Sequence, residues 1–274
     1  MDHLRSEIAE LATGVEAISR EPVLSVVIPA FNEAVRLPRT VMETLRWCSA
    51  QNLSFEVVIV DDGSRDDTLA LARVFSECDS RVRTMACVHT GKGGAVRVGM
   101  LNAKGRYVLF MDADGATPLP EIAKLLALMQ RYDIAIGSRA ADGFGEVEVR
   151  TSFRRRIVGR VFARIVNFLA VCGIDDTQCG FKMFRREAAE AVFAHQKIRG
   201  FAFDVEILFI AQRLGLSMKE IPVNWIAQPG SKVKVVRDSI RMLKDIIRIR
   251  WLHRDVAGMA FVAAKKRRAV GASE

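Results

Sequence analysis

The chain of 274 residues contains few cysteines, and they follow no metal-binding or redox pattern. There are five, an odd number, and no two of them have the C-x-x-C spacing of a zinc site or a redox centre. The sequence therefore gives no sign of a disulfide framework or a zinc site. We expect buried free thiols in a reducing cytoplasm.

Long apolar stretches are also missing. The longest candidate, residues 256–264, has nine residues with a glycine inside, whereas a helix that spans a bilayer needs about 18. Residues 1–17 mix charged and apolar side chains, unlike a signal peptide. We expect a chain that is soluble or lies on a membrane without crossing it.

Acidic residues are scarce in the second half of the chain. Residues 1–149 carry 16 basic and 21 acidic side chains, whereas residues 150–274 carry 25 basic and 11 acidic ones. The net charge of +9 is thus the sum of a negative charge on the first half and a larger positive charge on the second half. This asymmetry predicts a polyanionic partner for the second half, which would be nucleic acid, a phosphorylated substrate or an anionic membrane.

Aromatic residues are too sparse to favour the first of these partners. They make up 7% of the chain, with only two tyrosines, and no stacking platform is visible. We therefore expect no nucleic-acid partner. The phosphate-binding patterns G-x-x-x-x-G-K-[ST] and G-x-G-x-x-G are absent too, which disfavours an ATPase or a dinucleotide-binding enzyme.

The first half alternates short apolar runs with helical patterns. Continuous runs of Val, Ile and Leu that alternate with helices predict a Rossmann-like, mostly parallel sheet with helices on both faces. The predicted strands are 24–29, 55–60, 82–88, 106–111 and 133–136, and the predicted helices are 37–50, 67–76, 94–103 and 118–130.

Two basic amphipathic helices are predicted in the second half. Residues 150–164 contain six arginines and no acid, beside an apolar stripe, and residues 236–251 repeat this pattern. Such helices either lie in a membrane interface or pack on the core and expose a solvated basic face. Two of them, followed by the basic run 265–268, favour membrane contact.

Polar residues follow four of the predicted strands. They are Asn32-Glu33, Asp61-Asp62, Asp112-Ala113-Asp114 and Ser138-Arg139. Ligands of parallel sheets bind outside the carboxyl ends of the strands, so we expect one site at this edge.

Asp112 and Asp114 are the candidate metal ligands. Two carboxylates on a turn can converge on Mg²⁺, which takes one or two carboxylates together with phosphate oxygens. The alternative interpretation of D-x-D is a simple turn without a ligand.

Three further polar residues have separate predicted roles. Lys92, in a glycine-rich turn before a helix, is suited to bind a phosphate. Asp61 is expected to contact a ligand, and Asp66 to cap the helix that starts at Asp67.

These segments resemble the family 2 glycosyltransferases of GT-A fold, and in particular the dolichyl-phosphate β-glucosyltransferase branch near the dolichol-phosphate mannose synthases. The similarity extends from about residue 24 to residue 251. The segments that carry it are P-A-F-N-E at 29–33, V-D-D-G-S at 60–64, G-K-G at 91–93, D-A-D-G at 112–115, G-S-R at 137–139, D-T-Q-C-G-F-K-M-F at 176–184, F-D-V-E at 203–206, E-I-P-V at 220–223 and G-S-K at 230–232.

The resemblance implies a role for each candidate site residue. The nucleotide base and ribose would be bound by Pro29, Phe31, Glu33 and Asp61. The metal and the diphosphate would be bound by Asp112 and Asp114, and Ala113 between them would lie at the donor. The phosphates of donor or acceptor would contact Arg139, Lys182 and Lys232, and the lipid phosphate would be drawn in by Arg150 and Arg154.

The implied reaction is an inverting transfer of a hexose, glucose being favoured, from a UDP-sugar to a polyprenyl monophosphate on Mg²⁺ or Mn²⁺. GDP-mannose as donor and a soluble acceptor are the alternatives. Asp114, Asp176, Asp204 and Lys182 are the candidate catalytic residues. Asp176 and Asp204 would act as a base or orient a basic residue, or else form an ion pair or a cap. The four histidines do not cluster and are expected to be structural.

The expected organisation is one catalytic domain with two flanking segments. Residues 1–22 would be an extension, residues 23–254 a GT-A domain with a nucleotide-sugar half (23–149) and an acceptor half (150–254), and residues 255–274 a basic tail. The expected location is the cytoplasmic face of a membrane, by peripheral attachment.

Overall fold

The computed structural model describes residues 2–12, 21–139, 171, 173–226, 245 and 247–256. In these ranges the elements follow in the order α1 (Asp2–Ala12), β1 (Leu24–Ala30), α2 (Leu37–Ala50), β2 (Phe55–Asp61), α3 (Thr68–Cys78), β3 (Val82–Ala86), α4 (Lys92–Asn102), β4 (Tyr107–Met111), α5 (Glu121–Leu128), β5 (Ile134–Ser138), β6 (Phe181–Arg185), α6 (Arg186–His195), α7 (Phe203–Arg213) and β7 (Met218–Pro222). Residues 247–252 are also helical.

The seven strands of the described ranges form one sheet in the order β3-β2-β1-β4-β6-β5-β7. The strand β1 is parallel to both of its neighbours, β2 and β4, and β5 is parallel to β7. In contrast, β6 runs antiparallel between β4 and β5. The predicted mostly parallel sheet is therefore confirmed, with one reversed strand that the apolar pattern did not indicate.

Each face of the sheet has its own apolar core, because successive side chains of a strand point to opposite faces. On one face Val27 and Phe110 pack with α4, α6 and α7. On the other face Val26 and Ile28 pack with α1, α2, α3 and α5. The prediction that helices cover both faces is confirmed.

The predicted element boundaries differ from the observed ones at the functional edge. The helix 37–50 is found as predicted, but β2 continues to Asp61, which pairs with Ala30, the last residue of β1. The helix expected at residue 94 already starts at Lys92, which brings this lysine into the first turn of α4. The helix expected at 118–130 is shortened to Glu121–Leu128.

The two predicted basic helices are described only in small part. Residues 150–164 and residues 236–244 lie outside the described ranges, as does the tail from residue 257. The described C-terminal residues 247–252 are helical, as predicted for that stretch. The limits of the domain and its two halves stay predictions. Among the described residues, no helix is both long and apolar enough to cross a bilayer.

Candidate active site at the carboxyl edge of the sheet

The D-x-D turn lies where β4 ends at the carboxyl edge of the sheet. Asp112 follows Met111 directly, and its side chain is 38% exposed. The Asp114 carboxylate accepts a hydrogen bond from the backbone N–H of Ala116 at 3.0 Å. The Thr40 hydroxyl donates to the carbonyl of Ala113 at 2.8 Å, which ties the turn to α2. Both carboxylates line the same cleft, as the sequence predicted.

Lys92 bridges to the first of these carboxylates. Its Nζ lies 2.6 Å from Oδ1 of Asp112, and the lysine side chain is 22% exposed. Burial lowers the pKa of Lys92, but the negative charges of Asp112, Asp204 and Asp114 outweigh it, so the pKa lies above its usual value. Lys92 is therefore a permanent cation beside the D-x-D turn.

Gly180 allows the Asp112 carboxylate to occupy its position. A Cβ atom at residue 180 would lie 2.6 Å from Cγ of Asp112 and still closer to Oδ2. Any side chain at residue 180 would thus collide with this carboxylate. The glycine of the C-G-F-K segment is needed for close approach and not for a special backbone angle.

Asp61 offers a buried carboxylate oxygen at the end of β2. Its Oδ2 accepts hydrogen bonds from the N–H groups of Gly63 and Ser64, both at 3.1 Å. Its Oδ1 is buried and has no hydrogen-bond partner among the described residues. A buried acceptor without a partner is costly, which indicates that a ligand donor belongs there. The predicted ligand contact of Asp61 fits this geometry.

The neighbouring Asp62 organises the turn that carries Lys92. Its carboxylate accepts the N–H groups of Thr90 and Gly91 at 2.8 and 2.9 Å. It also lies 2.8 Å from Nδ1 of His89. The two adjacent aspartates therefore have different tasks, since Asp62 is saturated by protein groups and Asp61 is not.

His89, which the sequence predicted to be structural, lies at the edge of the candidate site. Its ring stacks on Phe31 with the centroids 4.2 Å apart. A single histidine without clustered partners gave no signal in the sequence. The stack forms because β1 and β3 both flank β2, so the segments that follow them meet at the turn after β2, where His89 contacts Asp62.

Two residues predicted to hold the nucleotide are engaged differently from the expectation. Pro29 is buried inside β1 opposite Val60. The Glu33 carboxylate is bound in a fork by Arg36, with Nε at 2.6 Å. The hydrogen bond from Arg36 to Glu33, together with the charges of Asp114 and Asp112, raises the pKa of Arg36. Arg36 is thus a second cation near the D-x-D turn, and the sequence analysis missed it.

Arg139 and Asp176 form a bidentate ion pair across the site. The guanidinium donates from Nε at 2.7 Å and from Nη2 at 2.9 Å. Burial raises the pKa of Asp176, but these hydrogen bonds from Arg139 outweigh it and hold the pKa below its usual value. The ion-pair alternative for Asp176 is therefore the one found, and a carboxylate held in this way is a poor proton acceptor.

Trp225 completes this side of the cleft. The Arg139 guanidinium lies 5.7 Å from the centroid of its indole, and both residues line the cleft with Asp112, Asp114 and Gly180. Trp225 carries no signal in the sequence, because its segment follows β7 and is brought to the cleft only by the pairing of the strands. The backbone N–H of Ile226 donates to the carbonyl of Ala116 at 2.8 Å and holds that segment at the D-x-D loop.

Comparison with known proteins identifies the family. Residues 25–193 match the family model described as glycosyl transferase family 2. The chain belongs to this family. It is 40% identical over 248 residues to a human protein named dolichyl-phosphate beta-glucosyltransferase, covering 84% of this chain and 76% of that one. A Dictyostelium discoideum protein of the same name is 39% identical over 241 residues, with 83% and 74% covered.

Solved structures of other enzymes confirm the GT-A fold of this family 2 glycosyltransferase. Glucosyl-3-phosphoglycerate synthase from Mycobacterium tuberculosis, in complex with UDP, superposes with a TM-score of 0.61 at 18% identity, covering 89% of this chain and 83% of that one. Mannosyl-3-phosphoglycerate synthase from Rubrobacter xylanophilus gives 0.62 at 17% identity, covering 98% and 78%. At such identities the likeness concerns the fold alone.

The lysine of the C-G-F-K segment is placed differently from the expectation for this glycosyltransferase. Lys182 is fully buried, and its Nζ donates to Asp204 at 2.5 Å and to the carbonyl of Cys179 at 2.7 Å. Lys182 therefore does not present its ammonium to the cleft, because β6 directs it into the interior. Burial raises the pKa of Asp204, and the charge of Lys182 opposes that effect. The ion-pair alternative for Asp204 is therefore the one found, as for Asp176.

Three predicted phosphate-binding residues of the glycosyltransferase lie outside the described residues. They are Arg150, Arg154 and Lys232. The helix predicted to start at Asp67 with Asp66 as its cap starts instead at Thr68, with Asp67 at the N-cap position. The Asp66 carboxylate accepts the N–H of Thr68, the first residue of α3, at 3.1 Å. Ala113, predicted to lie at the donor, is buried between Asp112 and Asp114 and is 5% exposed.

Proposed function

We propose that this chain transfers glucose from UDP-glucose to a dolichyl-type polyprenyl monophosphate, with inversion at the anomeric carbon. The observation that carries the proposal is the similarity, over more than four-fifths of the chain, to proteins named dolichyl-phosphate beta-glucosyltransferase. The cleft agrees with this reaction because it combines carboxylates for a metal with fixed cations for phosphates.

The nucleotide end of the donor would lie over β2. The buried, unpartnered Oδ1 of Asp61 suits the imide N–H of a uracil ring, which is a single donor. The stacked pair of Phe31 and His89 offers an aromatic surface beside it. Glu33 would act through Arg36, which it holds, and Pro29 through its backbone in β1.

The diphosphate end would lie at the D-x-D turn. The structure describes no group of three or more His, Cys, Asp or Glu side chains that could hold a metal in the ranges it covers. Two carboxylates completed by diphosphate oxygens are nevertheless a common Mg²⁺ site, so Asp112 and Asp114 fit Mg²⁺ or Mn²⁺. The metal would neutralise the negative charge that develops on the departing UDP. Lys92 and Arg36 would add fixed positive charge there.

The acceptor phosphate needs positioning more than it needs a base. A phosphate monoester has a second pKa of about 6, so its attacking oxygen is already largely deprotonated at neutral pH. This agrees with a site in which Asp176 and Asp204 are both committed to basic partners. We assign positioning roles to Asp176, Asp204 and Lys182, and a phosphate contact to Arg139, which remains 37% exposed.

Arg150 and Arg154 are proposed to attract the lipid phosphate from the basic second half, and Lys232 to contact a phosphate of donor or acceptor. A double substitution of Arg150 and Arg154 by alanine should raise the KM for the lipid acceptor more than the KM for UDP-glucose. Equal increases in both constants would contradict an acceptor role. The enzyme would work at the cytoplasmic face of a membrane by peripheral attachment.

The test of the proposed function is a donor and acceptor screen with the purified full chain. UDP-glucose, GDP-mannose and UDP-N-acetylglucosamine are each offered with a polyprenyl phosphate, and with 3-phosphoglycerate as a soluble acceptor. Mass spectrometry identifies the product, and the Asp114→Ala variant is the control. Glucosyl polyprenyl phosphate from UDP-glucose is the expected product. A mannosyl product, or transfer to the soluble acceptor alone, would contradict the proposal.

A further inference from the structure

Two segments near the site expose large apolar side chains. Phe201, in the loop between α6 and α7, is 68% exposed. Ile247 and Trp251, one helical turn apart, are 69% and 66% exposed, whereas Ile249 of the same helix is fully buried. Exposed apolar groups of this size on neighbouring segments indicate an interaction surface.

The two segments are in direct contact. The Lys197 ammonium donates to the carbonyl of Leu252 at 3.2 Å. The buried carboxylate of Glu206 accepts the N–H groups of Lys197 and Ile198 and contacts Nε2 of His253 at 2.7 Å. Residues 197–201 and 247–254 therefore form one continuous surface, which we call the docking surface.

The charge on the docking surface is strongly positive. Its five exposed basic residues are Lys197, Arg199, Arg248, Arg250 and Arg254. The acidic residue that directly follows it, Asp255, lies 3.4 Å from Arg254. The Arg254 guanidinium also lies 5.6 Å from the ring centroid of Trp251. Aromatic rings mixed with basic side chains are the composition that binds the headgroup region of an anionic bilayer.

The docking surface adjoins the active site. The carbonyl of Arg199 accepts the N–H of Gly94 at 3.3 Å, in the first turn of α4 beside Lys92. Packing there is so close that a Cβ on Gly91 would lie 2.7 Å from that carbonyl. A membrane on the docking surface would thus bring lipid phosphates next to the cleft.

We propose that residues 197–201 and 247–254 dock this protein on an anionic phospholipid membrane. The orientation toward a lipid acceptor rests on the proposed function, but the binding itself does not. Phe201 and Trp251 would enter the headgroup region while the basic side chains contact lipid phosphates. Glu206 and His253 would hold the two segments in register.

Vesicle sedimentation tests the docking surface with the full chain and without any acceptor lipid. The probes are vesicles of phosphatidylcholine with phosphatidylglycerol, and of phosphatidylcholine alone. Wild type should bind the anionic vesicles and be released by salt. The variants Phe201→Ser, Trp251→Ser and Arg248→Glu should each reduce the partition coefficient about tenfold. They lie on two different elements, so misfolding of one segment cannot produce all three losses.

Matched controls separate this surface from general apolarity and charge. Val88 is 86% exposed and lies outside the surface, so Val88→Ser should bind like wild type. Arg131, exposed after α5, allows the same charge reversal as Arg248 elsewhere on the protein. The proposal would be overturned if the control variants lost as much vesicle binding as the surface variants. It would also be overturned if the wild-type protein did not bind anionic vesicles.

A transfer assay distinguishes failure of the docking surface from failure of the proposed function. Phe201→Ser should slow transfer to a long-chain polyprenyl phosphate in vesicles and leave transfer to a water-soluble short-chain analogue unchanged. Equal rates for wild type and variant on the vesicle acceptor would overturn docking. Normal vesicle binding without transfer to either acceptor would overturn the proposed glucosyltransferase function but not the proposed docking surface.

Discussion

The contact between Gly180 and the Asp112 carboxylate allows a sharp prediction for Gly180→Ala. The added Cβ would lie 2.6 Å from Cγ of Asp112, whereas ordinary carbon contacts begin near 3.4 Å. The carboxylate must therefore move by about 1 Å, and it can do so because it is the flexible end of a partly exposed side chain. A displacement of about 1 Å in catalytic machinery costs about a hundredfold in rate, which corresponds to about 2.7 kcal/mol of transition-state stabilisation.

The substitution should spare the fold and impair the site. We expect kcat for glucosyl transfer to fall by about a hundredfold and the affinity for Mn²⁺ to weaken, while thermal unfolding shifts by only a few degrees. Gly200→Ala is the matched control, since a Cβ there meets nothing within 4 Å. Wild-type kcat and Mn²⁺ affinity in Gly180→Ala would refute the assignment of Asp112 to the metal.

Three further predictions concern the charged groups of the site. Asp114→Ala should abolish transfer while the circular dichroism spectrum is unchanged, and retained turnover with Mg²⁺ would exclude its metal role. Lys182→Met should destabilise the fold by about 3–5 kcal/mol in urea unfolding because Asp204 is left buried without its partner, and adding Asp204→Leu should restore much of the loss. Because the pKa of folded Asp176 is lowered, its ion pair with Arg139 stabilises the protein above the unfolded pKa of about 3.9, and that stability is lost as pH falls through the folded pKa. Asp176→Asn should therefore flatten the acid side of the stability profile, and an unchanged profile would contradict this linkage.

Local sequence patterns were sufficient to predict most of the helices and strands in the first half of the chain. The apolar runs of β1 and β2 are buried along their whole length, and such runs indicate a sheet covered on both faces whatever surrounds them. The antiparallel strand β6 was not predicted, because an apolar pattern indicates that a segment is buried but does not indicate which strand it pairs with. The direction of β6 depends on a chain path through residues distant in sequence.

The sequence by itself determined which edge of the sheet carries the candidate site, because parallel strands bring their carboxyl ends to one edge. That rule placed Asp61, Asp112 and Arg139 at the same edge from a single sequence. It could not decide which charged groups face the cleft and which face each other.

Only the tertiary structure decided the pairings. Arg139 meets Asp176 and Lys182 meets Asp204 over long sequence separations, and the two lysines of the site, Lys92 and Lys182, have different carboxylate partners. An ammonium group has the same chemistry in either place, so both lysines are predicted from the sequence to bind phosphate. Burial in β6 pairs Lys182 with Asp204, while the first turn of α4 leaves Lys92 beside Asp112 at the cleft.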